Sequence, residues 1–152
     1  MLFENNYQKS NRIKKVKSHI SNEAILLAKK ILNSGDHSVR QKLSESLLDE
    51  LCDGSKIDIV KLCISNTNQY HKKSAGKVAM KRYGYYRIKG NYIYIQNLTA
   101  VRGQILAPKT FLDTLLHEWM HHYDTHRLRL NSIHTKGFYE RINNLKEKLK
   151  LK

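Results

Sequence analysis

The sequence predicts an α+β fold in a single domain. Apolar residues recur with a helical period near both ends of the chain, whereas the middle of the chain shows the two-residue alternation of a β-strand. The 152 residues suffice for one domain with a substantial core, but they are too few for two comfortable domains. We therefore expect a basic N-terminal arm, residues 1–20, and one domain, residues 21–152. In that domain a small, mostly antiparallel sheet follows N-terminal helices and precedes two later helices.

Two helices are predicted before the sheet. Ser21 can cap the first, which continues to about Asn33. The second is expected over about 39–52, with Gly54 ending it, because valine or leucine recurs there every four residues. Part of the arm is also expected to be helical, from the spacing of its apolar residues. These are Ile13, Val16 and Ile20.

Strands are predicted in the middle of the chain, where β-branched and aromatic residues are frequent. The predicted strands are residues 57–64, 77–83, 85–88 and 92–95. Gly84 is expected to form a bulge, residues 89–91 a turn and residues 65–74 a loop. In the last strand tyrosine alternates with isoleucine, which indicates two different faces.

Two helices are predicted after the sheet. Pro108 suits the first turn of one helix, and a stripe of large apolar side chains predicts its inner face. That stripe is Leu112, Leu116, Trp119 and Tyr123. The other helix is expected to start near Thr135. Its predicted inner face is Phe138, Ile142, Leu145 and Leu149.

The chain is strongly basic. It has 28 lysine and arginine residues against 13 acidic residues, which gives a formal charge of +15. This balance favours an acidic partner, with nucleic acid first and an anionic membrane surface second. Lys14, Lys15 and Lys17 lie close together in the arm. Enrichment of lysine by an AT-rich genome is the alternative explanation of the same excess.

Cysteine content and hydropathy bear on the cellular compartment. Cys52 and Cys63 are too few for a four-cysteine zinc ribbon, and we expect buried, reduced thiols. The N-terminal sequence lacks an apolar signal core, and no run of about 18 apolar residues occurs. We therefore expect a soluble, cytoplasmic protein that does not enter a membrane.

The motif His117-Glu118-Trp119-Met120-His121 carries the chemistry. Residues i and i+4 lie on one face of a helix, so both imidazoles can reach one metal ion. Glu118 is turned about 100° from His117, which places its carboxylate beside the metal, where it can take a proton from bound water. A catalytic zinc also needs a third protein ligand and leaves its fourth position to water.

Several positions are candidates for the third ligand. The metzincin spacing would need a histidine at position 127, which is Arg127. His126 lies about 140° around the helix from His121, so it can join only if the helix has already ended. Glu140 falls on the outward face of the last helix. His134 continues the inward stripe of that helix, and we predict it as the third ligand.

Neighbouring polar residues each have two interpretations. Asp124 either orients a ligand imidazole or is a solvated acid near the helix end. His122 is off the ligand face and is expected at the surface or in the cleft. Tyr123 is expected in the core rather than as a group that polarises a substrate carbonyl. A set of tyrosines could stack nucleic-acid bases, although packing within the sheet is expected for most of them. They are Tyr83, Tyr85, Tyr86, Tyr92 and Tyr94.

The segment FLDTLLHEWMHHYD, followed by HTKGFYERINNL, resembles the SprT-like zinc metallopeptidases, the family that includes the Spartan DNA–protein crosslink proteases. The shared features are LLHExxH, a later histidine at position 134 and a phenylalanine four residues after it. The order of NYIYIQN, a loop and APKTFLDTLLHE is also similar, and the resemblance covers residues 76–149. It implies a zincin-like fold, a Zn2+ ion held by His117, His121 and His134, Glu118 as general base, and DNA-linked protein substrates.

The motif and the resemblance together predict a zinc-dependent endopeptidase of the SprT-like type, with Glu118 as general base on a zinc-bound water. Its expected partners are a protein or peptide substrate and DNA without sequence preference. In zincins an edge strand beside the cleft can hold an extended substrate, and residues 92–95 are the candidate. The alternative is a non-catalytic nucleic-acid-binding module with a structural zinc, in which His126 or Asp124 closes the fourth coordination position. Zinc-dependent hydrolysis of a non-peptide substrate is a third possibility.

Overall fold

Helices precede and follow a group of short strands along the chain, which confirms the predicted α+β class. The computed structural model describes residues 3–67, 73–74, 77–78, 83–99 and 102–152. The helices are α1 (Asn6–Arg12), α2 (Asn22–Ile31), α3 (His37–Ser55), α4 (Pro108–His126) and α5 (Lys136–Lys148). The strands are β1 (Lys61–Ser65), β2 (Lys73–Ser74), β3 (Lys77–Val78), β4 (Gly84–Arg87) and β5 (Tyr92–Gln96). None of the helices in these ranges is both long enough and apolar enough to cross a bilayer.

The main sheet has three strands in the order β1-β5-β4. Strand β5 is antiparallel to β4 but parallel to β1, so this sheet is mixed, and the expectation of a mostly antiparallel sheet holds only in part. The separate β2–β3 pair is antiparallel. Alternation along a strand looks the same whichever way its neighbour runs, so the sequence pattern could not distinguish the parallel pair.

Strand β5 occupies the middle of the sheet, so the prediction that residues 92–95 form an edge strand is wrong. Its residues pair with β1 on one side and with β4 on the other. Because backbone groups on both sides of the strand are already used, a substrate segment cannot add to it.

Strand boundaries also differ from the predictions. Strand β1 begins at Lys61 rather than at residue 57, and β2 lies inside the segment predicted as a loop. Of the predicted strand 77–83, β3 covers the first two residues, and residues 79–82 lie outside the described part of the chain. Gly84 forms no bulge, because its register with β5 is continuous. It allows a close approach instead, since a Cβ there would lie 2.8 Å from the carbonyl oxygen of Tyr94.

Helix α4 lies at the centre of the packing and contacts α2, α3, α5, β4 and β5. The predicted inner stripes of α4 and α5 are both buried, which confirms them. Ile93 and Ile95 of β5 are fully buried in the same core cluster. Burial of each such side chain contributes about 1.5–3 kcal/mol, and this packing fixes the rotation of α4 about its axis.

Residues 6–20, here called the N-terminal segment, pack against the rest of the domain. Helix α1 contacts α5, and Val16 is 3% exposed. Part of the arm is helical, as expected, but the helix is α1 and does not include Ile13, Val16 and Ile20. Backbone N–H groups after α1 donate to other elements instead. The N–H of Lys17 donates to the hydroxyl of Tyr123 on α4 at 2.8 Å, and that of Val16 donates to a side chain of α5.

Helix ends follow the predicted signals with one exception. Ser21 caps α2, and Pro108 occupies the first turn of α4, as predicted. Gly54 does not end α3, which continues one residue further and is terminated by Lys56 in the left-handed conformation (φ 56°). The glycine permits a close approach instead, because a Cβ on Gly54 would lie 2.0 Å from the carbonyl oxygen of His19.

Candidate metal centre

Helix α4 brings His117 and His121 to one face. Its buried stripe fixes the helix against the core, so this i, i+4 pair leaves the helix on another side. Both imidazoles are half-buried, and their ring centroids lie 5.1 Å apart. The core packing of α4 therefore presents both side chains to one point outside the core.

His134 reaches the same point from the loop between α4 and α5. Its Nε2 lies 3.1 Å from Nε2 of His117 and 3.0 Å from Nε2 of His121. The structure thus brings together the three residues that the sequence selected. The prediction that His134 continues the inner stripe of α5 is wrong, however. Helix α5 begins only after its cap, Thr135, so His134 is exposed in the preceding loop and does not extend the buried helical stripe.

The two Nε2 separations from His134 are close to those that one tetrahedral metal ion requires. Zinc–nitrogen bonds of about 2.0–2.1 Å separate two ligand nitrogens by about 3.3 Å, close to the observed distances. Hydrogen bonds alone do not explain the contacts, because Nε2 of His134 carries either one hydrogen or one lone pair and meets two other nitrogens. The donor atoms all lie within 4.8 Å of one another, so the His117–His121–His134 cluster could hold a metal ion.

Other acids and histidines that were considered as ligands are engaged elsewhere. Nε2 of His126 contacts Oδ1 of Asn91 at 2.8 Å. Asp124 is fully buried in an ion pair with Arg141. The carboxylate of Glu140 lies 4.0 Å from each of two lysines, on the outward side predicted for it. Among the residues that the structure describes, the three histidines make up the whole donor cluster.

Phe138 of α5 packs against the imidazoles of His117 and His121. Its ring stacks on that of His121 with centroids 4.6 Å apart, and it meets the ring of His117 edge-on at 5.1 Å. The neighbouring Tyr139 is 47% exposed and lies 6.2 Å from His117 and 6.0 Å from His134. The sequence predicted Phe138 in the core but did not indicate Tyr139, which extends the aromatic wall toward solvent.

Ser132 links His121 to Asp124. The Oγ of Ser132 lies 2.8 Å from Nδ1 of His121, and its hydroxyl donates to Oδ2 of Asp124 at 2.9 Å. Asp124 is therefore not the solvated acid of one interpretation, since it is 0% exposed and is linked to the imidazole of His121 through Ser132. Burial raises the pKa of Asp124, while hydrogen bonds from Arg141 and Ser132 act in the opposite direction. No sequence pattern indicated Ser132.

Glu118 follows His117 on α4. Its side chain is buried, with 7% of the residue exposed, and it is not a member of the donor cluster. A buried carboxyl next to a candidate metal ligand, and outside the donor set, could carry a proton if a metal were bound.

His122 is a correction, because it was expected at the surface or in the cleft and is fully buried. Its Nδ1 lies 2.9 Å from the hydroxyl of Tyr86, and its Nε2 lies 2.7 Å from the carbonyl oxygen of Asp58. Burial lowers the pKa of His122 to about 4, so the ring is neutral at pH 7. These contacts connect α4 to β4 and to the chain before β1, and His122 is not part of the donor cluster.

A cationic groove of about 670 Å³ lies between the N-terminal segment and the chain that follows α4. Its charged lining residues are all basic. They are Lys9, Arg12, Lys14, Lys15, Lys17, Arg127 and Arg129. Glu4 pairs with Arg12 and Glu140 lies near Lys14 at the rim, which leaves a large positive excess.

The sheet tyrosines pack mainly on one another and on neighbouring side chains, as expected for most of them. Tyr85 stacks on Tyr94 with centroids 5.0 Å apart, and the guanidinium of Arg87 lies 4.9 Å above the ring of Tyr92. These contacts account for the rings without a bound base.

The two cysteines are free thiols, as predicted. Cys52 is buried and accepts a 3.4 Å hydrogen bond from the indole of Trp119, and burial raises its pKa to about 11. Cys63 on β1 is only half-buried, so the expectation of buried thiols is correct for Cys52 but wrong for Cys63. Neither thiol joins the metal cluster.

Comparison of the chain with protein-family models, curated proteins and solved structures found no match. The assignment of chemistry therefore depends on the donor set and its geometry.

Proposed function

We propose that this protein is a zinc-dependent endopeptidase of the SprT-like type that acts on proteins held on DNA. The observation that carries the proposal is the convergence of three imidazole nitrogens beside a buried carboxyl on the same helix. Structural zinc sites are usually closed by four protein ligands, whereas catalytic sites have three. A cluster of three histidines with an adjacent acid therefore supports a catalytic metal.

The side chains divide the work of hydrolysis. When bound, zinc would acidify water and polarise a substrate carbonyl. His117, His121 and His134 would hold the ion through Nε2. Glu118 would take a proton from the attacking water and deliver it to the leaving amine. Its place on α4, one residue after His117, keeps its carboxyl at a fixed position relative to the ligands.

The cationic groove supports the DNA part of the proposal. Seven basic side chains line the groove, and those not paired with Glu4 or Glu140 can replace counterions on a phosphate backbone. Such contacts carry no sequence preference. Arg127 at one wall lies six residues after His121, about 9 Å along the axis of α4. A protein bound to the same DNA would be held near the metal centre at a high effective concentration.

A cleavage assay on a DNA-bound protein tests the proposal. The zinc-loaded wild type should cleave this protein faster than the same protein without DNA. Glu118→Gln should hold zinc but lose about 10²–10⁴-fold in rate, because an amide cannot carry the proton. Glu23→Gln is the matched control, since its carboxyl is exposed on α2, away from the donor cluster and the groove, and its loss should leave the rate unchanged. Cleavage by Glu118→Gln at the wild-type rate would overturn the proposed mechanism.

Two triple-lysine variants with the same net charge as each other test whether the groove binds DNA. The groove variant carries Lys14→Gln, Lys15→Gln and Lys17→Gln. The surface control carries Lys29→Gln, Lys30→Gln and Lys42→Gln, which are exposed lysines of α2 and α3. Both proteins lose three positive charges, so a binding defect confined to the groove variant identifies the groove as the DNA site. Equal defects in the two proteins would show that net charge alone is responsible.

A non-catalytic nucleic-acid-binding module with a structural zinc is the second candidate, and the cationic groove favours it. The contacts of His126 and Asp124 with other residues weigh against it, because neither completes a fourth ligand position. Zinc binding and DNA binding without cleavage of any DNA-bound protein would favour the module over the peptidase.

A further inference from the structure

We propose that Ser132 and Asp124 are positioning residues that orient His121 toward the metal, and that the N-terminal segment holds them in place through Arg141. This inference rests on the proposed zinc site. It assigns a role to four polar groups that the proposed hydrolysis does not itself use.

The first link is the direction of two hydrogen bonds at Ser132. The carboxylate of Asp124 can only accept, so the Ser132 hydroxyl donates to its Oδ2 at 2.9 Å. The Ser132 oxygen is then an acceptor for Nδ1 of His121, 2.8 Å away. A hydrogen on Nδ1 leaves the lone pair on Nε2, which is the atom that lies 3.0 Å from Nε2 of His134. The serine therefore selects the form of His121 that can bind a metal.

The second link fixes the carboxylate of Asp124. Nε of Arg141 donates to its Oδ1 at 3.0 Å, and Nη2 donates to its Oδ2 at 2.8 Å. Both side chains are 0% exposed, so water does not compete for these contacts. A two-point contact from a planar guanidinium permits little rotation of the carboxylate, and its Oδ2 stays directed at Ser132.

The third link fixes Arg141 itself. Its remaining donors reach the carbonyl oxygen of Ser10 at 2.6 Å, the carbonyl oxygen of Ile13 at 2.7 Å and Oγ of Ser10 at 3.2 Å. All five N–H groups of the guanidinium are thus used. Three of the five hydrogen bonds end on the N-terminal segment. This segment therefore supplies acceptors for N–H groups of Arg141 that would otherwise be buried without partners.

Ser10 also touches the loop that carries the third histidine. Its Oγ lies 2.7 Å from Oγ1 of Thr135, the cap of α5 and the residue after His134. Close packing keeps the segment at this place, because a Cβ on Gly137 would lie 2.0 Å from the carbonyl oxygen of Ser10. The N-terminal segment is therefore connected by hydrogen bonds to the surroundings of two of the three ligands.

Zinc affinity of the folded protein measures the effect directly. Ser132→Ala should weaken zinc binding by about 10–100-fold in competition with a chromophoric chelator, and Ser132→Thr, which keeps the hydroxyl, should restore most of the affinity. Thr125→Val is the matched control. Thr125 donates to the backbone carbonyl oxygen of His121 at 2.8 Å. The substitution therefore removes a hydroxyl that contacts the backbone of His121 but not its imidazole. Ser10→Ala should weaken binding as well, whereas Arg12→Gln, in the same segment and exposed, should not.

Nitrogen NMR of the zinc-loaded wild type gives a second readout that does not depend on any variant folding. His121 should bind zinc through Nε2 and keep a hydrogen on Nδ1; zinc on Nδ1 would overturn the inference. If the wild type binds zinc and Ser132→Ala binds as tightly as Thr125→Val, Ser132 is not a positioning residue and the zinc site still stands. If the wild type binds no zinc, the proposed function fails and this inference fails with it.

Discussion

Replacement of Arg141 by methionine tests the buried network most severely. Arg141→Met keeps an unbranched apolar stem but removes all five hydrogen bonds of the guanidinium. The carboxylate of Asp124 remains fully buried without its cation, and two backbone carbonyl groups of the N-terminal segment lose a donor. Loss of one partner of a buried ion pair costs about 3–5 kcal/mol. Domains of this kind are stable by about 5–15 kcal/mol in total, so the loss should be large.

Urea unfolding of the single and double variants provides the assay. Asp124→Leu alone should be destabilised to a similar extent, because it leaves the guanidinium buried without a carboxylate. The double variant, Asp124→Leu with Arg141→Met, should lose less than either single variant, since apolar replacement of both partners removes the unpaired charge. Single losses below about 1 kcal/mol, or a double loss equal to their sum, would refute the account of this pair.

The Arg141→Met variant should also become less unstable as the pH falls. Burial already raises the pKa of Asp124, and loss of Arg141 removes the main influences that lower it. The folded variant would then bind a proton at a pH where the unfolded chain, with a carboxyl pKa of about 3.9, has released it. Its stability relative to the wild type should therefore improve from pH 8 toward pH 5. A difference that is constant over this range would show that Asp124 stays charged without its partner.

Three further predictions concern the ligands, the buried histidine and the groove. His134→Ala should lose most of its zinc by elemental analysis, whereas Glu140→Ala should keep it; the reverse result would exchange the two assignments. His122 should titrate near pH 4 by NMR. Because its pKa in the folded state lies below the unfolded value of about 6.5, the free energy of unfolding should fall by on the order of 3 kcal/mol as the pH drops from about 6.5 to about 4. Titration near 6.5 would contradict its burial. For the groove variant, the slope of log K for DNA binding against log salt should become shallower by up to about 3 relative to the wild type. The surface control should keep the wild-type slope. Equal slopes in all three proteins would exclude the groove as the DNA-binding site.

Local periodicity was enough to predict α2 to α5 and the candidate donors, but it did not locate α1. The i, i+4 spacing of His117 and His121 is a property of one helix, and the apolar stripe of α4 shows which way that helix faces. His134 was selected as an extension of α5, although the structure places it in the loop before that helix. The helical period indicated the right residue for the wrong reason, because a helical period carries no information about the geometry of a loop.

Contacts between distant segments could not be predicted in the same way. Ser132 sits in a loop without a motif, and its role exists only because α4 and the loop fold against each other. Arg141 follows Phe138 at i+3 and precedes Leu145 at i+4, so its inward direction could have been noticed in the helical pattern. Its partners in the N-terminal segment are about 130 positions away. Burial of His122 had a similar signal, since it follows Trp119 at i+3 on the inner stripe.

An anomalous difference map at the zinc edge, from a crystal of the zinc-loaded protein, tests the central claim most directly. The account predicts one zinc ion bound by Nε2 of His117, His121 and His134 at about 2.0–2.1 Å, with a non-protein oxygen at the fourth position and Glu118 beside it. A fourth protein ligand on that ion, or zinc at a different place in the protein, would contradict a catalytic zinc centre here.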